Sequence, residues 1–343
     1  MTDRAVAVAL VVFFTTLSSS GHPAQGVGAP AGSSGLPSSA ATCALRGMAE
    51  PRVNASIEDS QGRVIARFSG APTALFASDF PADAHGRVRI ETGTGAGGFR
   101  IRGQLSVADL PLYTTGNVAV VQNHVWIGAR RSVSFVASAP GRLRIEKRLS
   151  QPFAQNFVAW APCSSVSLSA APPPGFSPEG NARGYLLRKS SLELFDQPTG
   201  SPVSTLSRSS DVESVLFFSS ERRGEFVNLS YHGEVLIEAW ARARDLTALE
   251  PGETSDQLAQ RGSTRSPPRL AVQGEPRVVK PAREVPLRAS AKESEASIGV
   301  IEPGAETFVL DVVAGWASVM PKAMNVLPGP DGQFWVKASD LGI

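Results

Sequence analysis

The chain has 343 residues, 42% hydrophobic and 19% charged, which are the proportions of a folded rather than a disordered protein. Lys plus Arg number 33 against 31 Asp plus Glu, so no net field exists to draw in nucleic acid. The 32 Gly and 26 Pro argue against a fold of long helices, and the length holds roughly two to four small domains.

Residues 1–24 read as an export signal. Arg4 supplies the positive start, Ala5 to Leu17 form an apolar run, and Ser18-Ser19-Ser20 ends it. The run is shorter than the ~20 apolar residues a membrane span requires, so no transmembrane span is expected after cleavage. His22-Pro23-Ala24 is a loose cleavage site, which puts the cut between Ser20 and Gly26; an uncleaved anchor is the competing reading. Residues 25–42 are Gly, Pro, Ser and Ala-rich and form a flexible leader. The two cysteines, Cys43 and Cys163, are expected to pair in an exported chain, tying the start of one unit to the end of the next. Lipid attachment at Cys43 is a weaker alternative, because no apolar run adjoins it. The expected location is the cell envelope, periplasmic or extracellular.

A first β unit is expected over 43–110. Apolar residues alternate at Val64, Ala66 and Phe68, at Val88 and Ile90, and at Phe99 and Ile101, with glycine between the runs. Gly93 to Gly98 resembles a phosphate-cradling loop, but Phe99 to Arg102 continue as a strand where such a loop needs a helix. It is read as a hairpin turn. A second unit, 111–170, matches the first. Gly86 to Glu91 (Gly-Arg-Val-Arg-Ile-Glu) and Gly141 to Glu146 (Gly-Arg-Leu-Arg-Ile-Glu) lie 55 residues apart; Phe99 and Phe157, and Leu110 and Leu168, lie 58 apart. Two consistent offsets point to an internal duplication.

Residues 171–183 hold Pro172-Pro173-Pro174 and form a stiff spacer. A third unit covers 184–246, with strands at Leu192 to Phe195, Val215 to Phe218, Phe226 to Leu229 and Val235 to Ala239, and a turn at Asp196 to Gly200. Residues 247–283 are polar and locally basic (Arg261, Arg265, Arg269, Arg277, Lys280, Arg283) and read as a disordered linker, with contact to an anionic envelope polymer or phospholipid as the functional alternative. The fourth unit, 284–343, alternates at Ile298 to Ile301 and Phe308 to Leu310 and closes on Phe334-Trp335-Val336. Its ending, Gly332 to Leu341, is echoed at Ala239 to Leu246 and Leu105 to Leu110.

Leu287-Arg288, Pro303-Gly304, Gly315-Trp316 and Phe334-Trp335-Val336 through Leu341 follow one another as in the bacterial SH3-like domain, which the fourth unit resembles. The third unit is similar through Leu194-Phe195-Asp196, Pro198-Thr199-Gly200, Glu225-Phe226-Val227 and Ala239-Trp240-Ala241, but lacks a glycine over Ser207 to Ser214. The first two units share only length and closing strands with the family. The resemblance implies an all-β chain of tandem small SH3-like β-barrels joined by Pro/Gly/Ser-rich linkers. It also implies a non-catalytic binding role toward cell-wall peptide, or toward an envelope protein as an adaptor.

Little chemistry competes with binding. His22, His85, His124 and His232 are isolated, no metal-ligand spacing occurs, and no cofactor is expected. The neighbouring carboxylates Glu58-Asp59 do not face each other and read as surface charges. No nucleophile elbow or phosphate loop occurs; Cys163 with His124 as a thiol dyad is the one enzymatic alternative. Among the aromatic residues, Trp160, Trp240 and Trp335 are expected in the core, with Trp316 balanced between core and loop edge. Tyr231, Trp316 and Trp335 are the expected ligand contacts.

Overall fold

Short runs alternating at period two, punctuated by Gly and Pro, dictate short strands, and the chain builds strands of two to nine residues. The computed structural model describes residues 43–81, 86–93, 98–178, 182–249, 276–330 and 332–343. The fold is all-β: the helices among the described residues are short 3-10 turns. The expected export signal, the expected leader and most of the expected basic linker lie outside the described residues.

The first stretch is β1 (Leu45–Ala49), a hairpin of β2 (Ser56–Glu58) and β3 (Val64–Phe68), a meander of β4 (Thr73–Ser78), β5 (Arg87–Thr92) and β6 (Phe99–Ser106), and the 3-10 turn Val107–Asp109. The second is β7 (Leu112–Thr114), hairpin β8 (Val118–Val121) and β9 (Val125–Ile127), meander β10 (Ser132–Ala139), β11 (Arg142–Leu149) and β12 (Gln155–Pro162), the turn Cys163–Ser165, and β13 (Val166–Ser167). The third is β14 (Arg183–Leu187), hairpin β15 (Ser191–Phe195) and β16 (Pro202–Ser207), meander β17 (Val215–Arg223), β18 (Phe226–His232) and β19 (Val235–Arg242), the turn Ala243–Asp245, and β20 (Thr247–Ala248). The fourth is β21 (Arg277–Val279), hairpin β22 (Val285–Arg288) and β23 (Ser297–Ile301), then β24 (Thr307–Val313), β25 (Trp316–Pro321), β26 (Val326–Pro328), β27 (Phe334–Lys337) and the turn Ala338–Leu341. β20 and β21 extend structure into both ends of the expected 247–283 linker.

Pairing is antiparallel throughout. The second stretch orders its strands β12-β11-β10-β7-β13, and the third contains the matching order β19-β18-β17-β14-β20. The hairpins fold back onto the last meander strand, at Glu58 opposite Gln104, Phe195 opposite Trp240, and Arg288 opposite Trp335. These strand paths are open, and no closed barrel forms among the described residues.

Sheets also run between stretches. β6 pairs with β23 through Ile101 opposite Gly299, and β3 with β26 through Arg67 opposite Leu327, merging the first and fourth stretches into one 13-stranded sheet. β9 pairs with β19 through Trp126 opposite Leu236, joining the second stretch to the third. The inward-facing residues of all four, such as Ile90, Ile145, Phe217 and Phe334, belong to one continuous core, in which each large buried side chain contributes about 1.5–3 kcal/mol. The expected disulfide is formed between Cys43 and Cys163.

Register corrects two sequence matches. Ile90 pairs with Gly103 and Ile145 with Ala159, so the last meander strands align at a 56-residue offset, as do the turns starting at Val107 and Cys163. Phe99 is therefore not the counterpart of Phe157, nor Leu110 of Leu168. The slip is two residues, which keeps each side chain on the same face and hides the error from a pattern of period two. Trp160 is also not in the core: Phe157, Ala159 and Ala161 take the inward positions of β12, leaving Trp160 41% exposed under the Arg142 guanidinium. Trp240 is buried on β19, which β15 flanks with Phe195 opposite Trp240, and the Arg223 guanidinium lies 5.2 Å from its ring centroid. Trp335 is half-buried, since Phe334 and Val336 point inward.

Candidate functional site

The three expected contacts fall on two different sheets. Trp316 and Trp335 are neighbours on the fourth stretch, whereas Tyr231 lies on β18 of the third.

Residues opposite one another on antiparallel strands project to the same side. Trp316 opposes Lys337 and Ser318 opposes Trp335, so both indoles share a face with Ser318 and Lys337. Ala314 and Gly315, both at positive φ, form the two-residue turn that delivers Trp316 to the start of β25. Arg288 crosses from β22, opposite Trp335, with its guanidinium 5.8 Å from the Trp316 ring centroid, within cation–π range. It is oriented by donating to the carbonyls of Glu293 and Glu295. Lys337 meets Glu293 at 2.8 Å, and this hydrogen bond holds the Glu293 carboxyl below the usual carboxylate range. Ser318 lies on this face fully buried, and its hydroxyl has no hydrogen-bond partner. A buried orphan hydroxyl costs about 1–3 kcal/mol.

Tyr231 faces a cleft of about 570 Å³ lined also by Pro152, Phe176, Val212, Phe218 and His232. Its ring packs edge-on against Phe153 at 5.2 Å and tilted against Phe217 at 5.7 Å. Burial pushes its hydroxyl up to about 12. Gly233 makes room for it, because a Cβ there would lie 2.5 Å from the tyrosine oxygen. His232 is half-buried, with its ring stacked 3.8 Å from that of Phe176, and burial lowers its pKa. Phe176 comes from the proline-rich spacer, is 41% exposed, and also leans on Phe218 at 5.9 Å. Arg208 shapes the rim by donating to the carbonyls of Arg188, Lys189, Ser209 and Val212, which fixes the segment carrying Asp211 and Glu213.

The sequence singled out Tyr231, Trp316 and Trp335 as expected contacts but not Ser318, Phe176 or His232, which the structure sets beside them. Phe176 carried one signal, as the sole large apolar residue of a polar, proline-rich spacer. Ser318 carried none. Cys163 is held in the disulfide and has no thiol for a dyad, while His124 Nδ1 sits 3.2 Å from the Glu238 carbonyl. Glu58 pairs with Arg87 and Asp59 with Arg63, as separate surface bridges. Of the basic linker residues, Lys280 pairs with Glu306 and Arg283 with Asp340. Among the described residues no cluster of metal-ligating side chains occurs, and no helix is long and apolar enough to cross a membrane.

Compared with protein-family models, curated proteins and solved structures, the chain matches none.

Proposed function

We propose that the chain is a tandem array of SH3-like modules acting as an exported, non-catalytic binding or scaffolding protein of the cell envelope, with cell-wall peptide as its ligand. The recurring succession of strand, hairpin, three-strand meander and 3-10 turn supports the modular reading. The disulfide is compatible with an oxidising compartment and so with the signal-like N-terminus.

The observation that carries the binding role is the face made by Trp316, Ser318 and Trp335 under Arg288. Indoles supply rigid contact area at low entropic cost, and the Arg288 guanidinium beside them supplies a charged donor. The experiment is retention of the full chain on purified murein, because β23 and β26 borrow partners from the first stretch and a fragment 284–343 would lose them. Wild type is expected to be retained, with Trp316→Ala and Trp335→Ala each weakening retention roughly tenfold or more, the hot-spot scale. Wild-type protein that washes through sinks the reading.

One observation favours an adaptor role instead. Leu310, Val312 and Val313 on β24 are 42%, 49% and 53% exposed beside Val278 on the paired strand β21, an apolar patch suited to a protein partner. Cross-linking in cells that captures a partner through this hairpin, with no murein retention, would select that reading.

A further inference from the structure

We infer that the cleft around Tyr231 is a second ligand site, built for an organic cation of the alkylammonium class, such as the side-chain amine of a peptide. The inference rests on the reading of Tyr231 as a ligand contact but concerns a different sheet from the Trp316–Trp335 face, so either site can fail alone.

Three observations converge. Phe176, Phe218, Tyr231 and His232 surround the cleft, and an ammonium within about 6 Å of an aromatic centroid is attracted by the ring quadrupole. Asp211 and Glu213 stand on the rim, and Glu238 lines the adjoining hollow that shares Phe176, Phe218 and His232. No ion pair engages these three carboxylates among the described residues, although most acidic side chains near the other cavities are bridged to Arg or Lys. Neither hollow is lined by Lys or Arg, in a chain where basic residues outnumber acidic ones. The nearby Arg208 is turned away onto backbone carbonyls. His232 stacks on Phe176 from the spacer and faces Glu238 from β19; burial lowers its pKa against the opposing pull of Glu238 and so disfavours a charge that would repel a cation.

A neutral or anionic ligand leaves the carboxylates unanswered, while a small inorganic cation leaves the rings unused. An alkylammonium uses both. Phe176 gives the site its particular construction: one wall is lent by the spacer between the second and third stretches.

The test is a titration of the full-length protein with tetramethylammonium and with 1,5-diaminopentane, read by NMR shifts of the Tyr231, His232 and Phe176 rings. The uncharged isostere tert-butanol serves as control. Saturable shifts with the amines and not with tert-butanol are expected. Affinity should fall at least fivefold in the exposed-rim variant Asp211→Asn/Glu213→Gln and in Phe176→Ala, with circular dichroism unchanged. Absence of saturable shifts, equal binding of tert-butanol, or indifference to the rim variant each overturns the proposal. Murein retention lost in Trp316→Ala while amine binding persists would separate the two sites.

Discussion

Ala314 sits at φ 49° beside Gly315 at φ 80°, in the turn that sets the angle of Trp316. Only glycine takes that conformation without its Cβ crowding the backbone, and an alanine there costs about 1 kcal/mol or more. Ala314→Gly is therefore expected to stabilise the protein by about 0.5–1 kcal/mol, after the added freedom of the unfolded chain is subtracted. A urea midpoint that moves down instead would show that the turn is held open by its surroundings. Glu306 offers a second check at this scale. Lys280 and Lys322 each lie 2.8 Å from its carboxylate, and their hydrogen bonds draw its pKa down to about 2. A depressed folded-state pKa means that the contribution is complete above the ordinary value of 4.5 and disappears as pH falls through about 2. Because the group is exposed, the effect is small and screened by salt. NMR titration should place the Glu306 midpoint near 2, and Lys322→Gln should raise it; an ordinary midpoint in wild type would mean that the clamp does not hold in solution.

Strands report themselves in sequence because period two needs only local residues. β5, β6, β15, β18 and β27 all fall where alternation puts them, and so does the turn at Asp196 to Gly200. Phase and partnership do not report themselves. Trp160 and Trp240 occupy similar runs, yet one is exposed and the other buried: β12 is the end strand of its sheet, whereas β19 has a hairpin strand paired beside Trp240. The joining of β6 to β23 is a contact between residues some 200 positions apart, made by backbone groups that every sequence carries. One side chain does speak for it: at Gly299 a Cβ would stand 2.1 Å from the carbonyl oxygen of Arg100. Backbone cannot yield as a flexible side chain would. Gly299→Ala is thus expected to prise β23 from β6 and cost about 3 kcal/mol, the upper range for overpacking. Hydrogen exchange should show Phe99 to Ile101 losing protection while the β11–β12 pairing keeps its own. An unchanged urea midpoint would refute the junction.

At the scale of the whole molecule, a binder's recognition faces hold fixed positions only if its parts do not swing freely. Shared sheets supply that constraint between the first and fourth stretches and between the second and third. The disulfide supplies it between the first and second. β1 pairs with β4, and the loop closed by Cys43 and Cys163 spans a separation of 120 residues. Near that closure the Met48 amide donates to Ser169 Oγ at 2.8 Å, and a Cβ on Gly47 would stand only 2.4 Å from the same oxygen. In the chain-entropy model a cross-link of this length restricts the unfolded ensemble by about 4–5 kcal/mol. That is a large share of the ~5–15 kcal/mol by which domains are stable. Cys43→Ser/Cys163→Ser should therefore lower the unfolding free energy by about that amount without changing the native circular dichroism. The β1 amides should exchange first, since they lose their tether, while β11 and β12 keep theirs. A double variant as stable as wild type would mean that the sheets alone fix the arrangement. A variant whose native spectrum collapses would mean that the cross-link organises the folded state itself, beyond its effect on the unfolded chain.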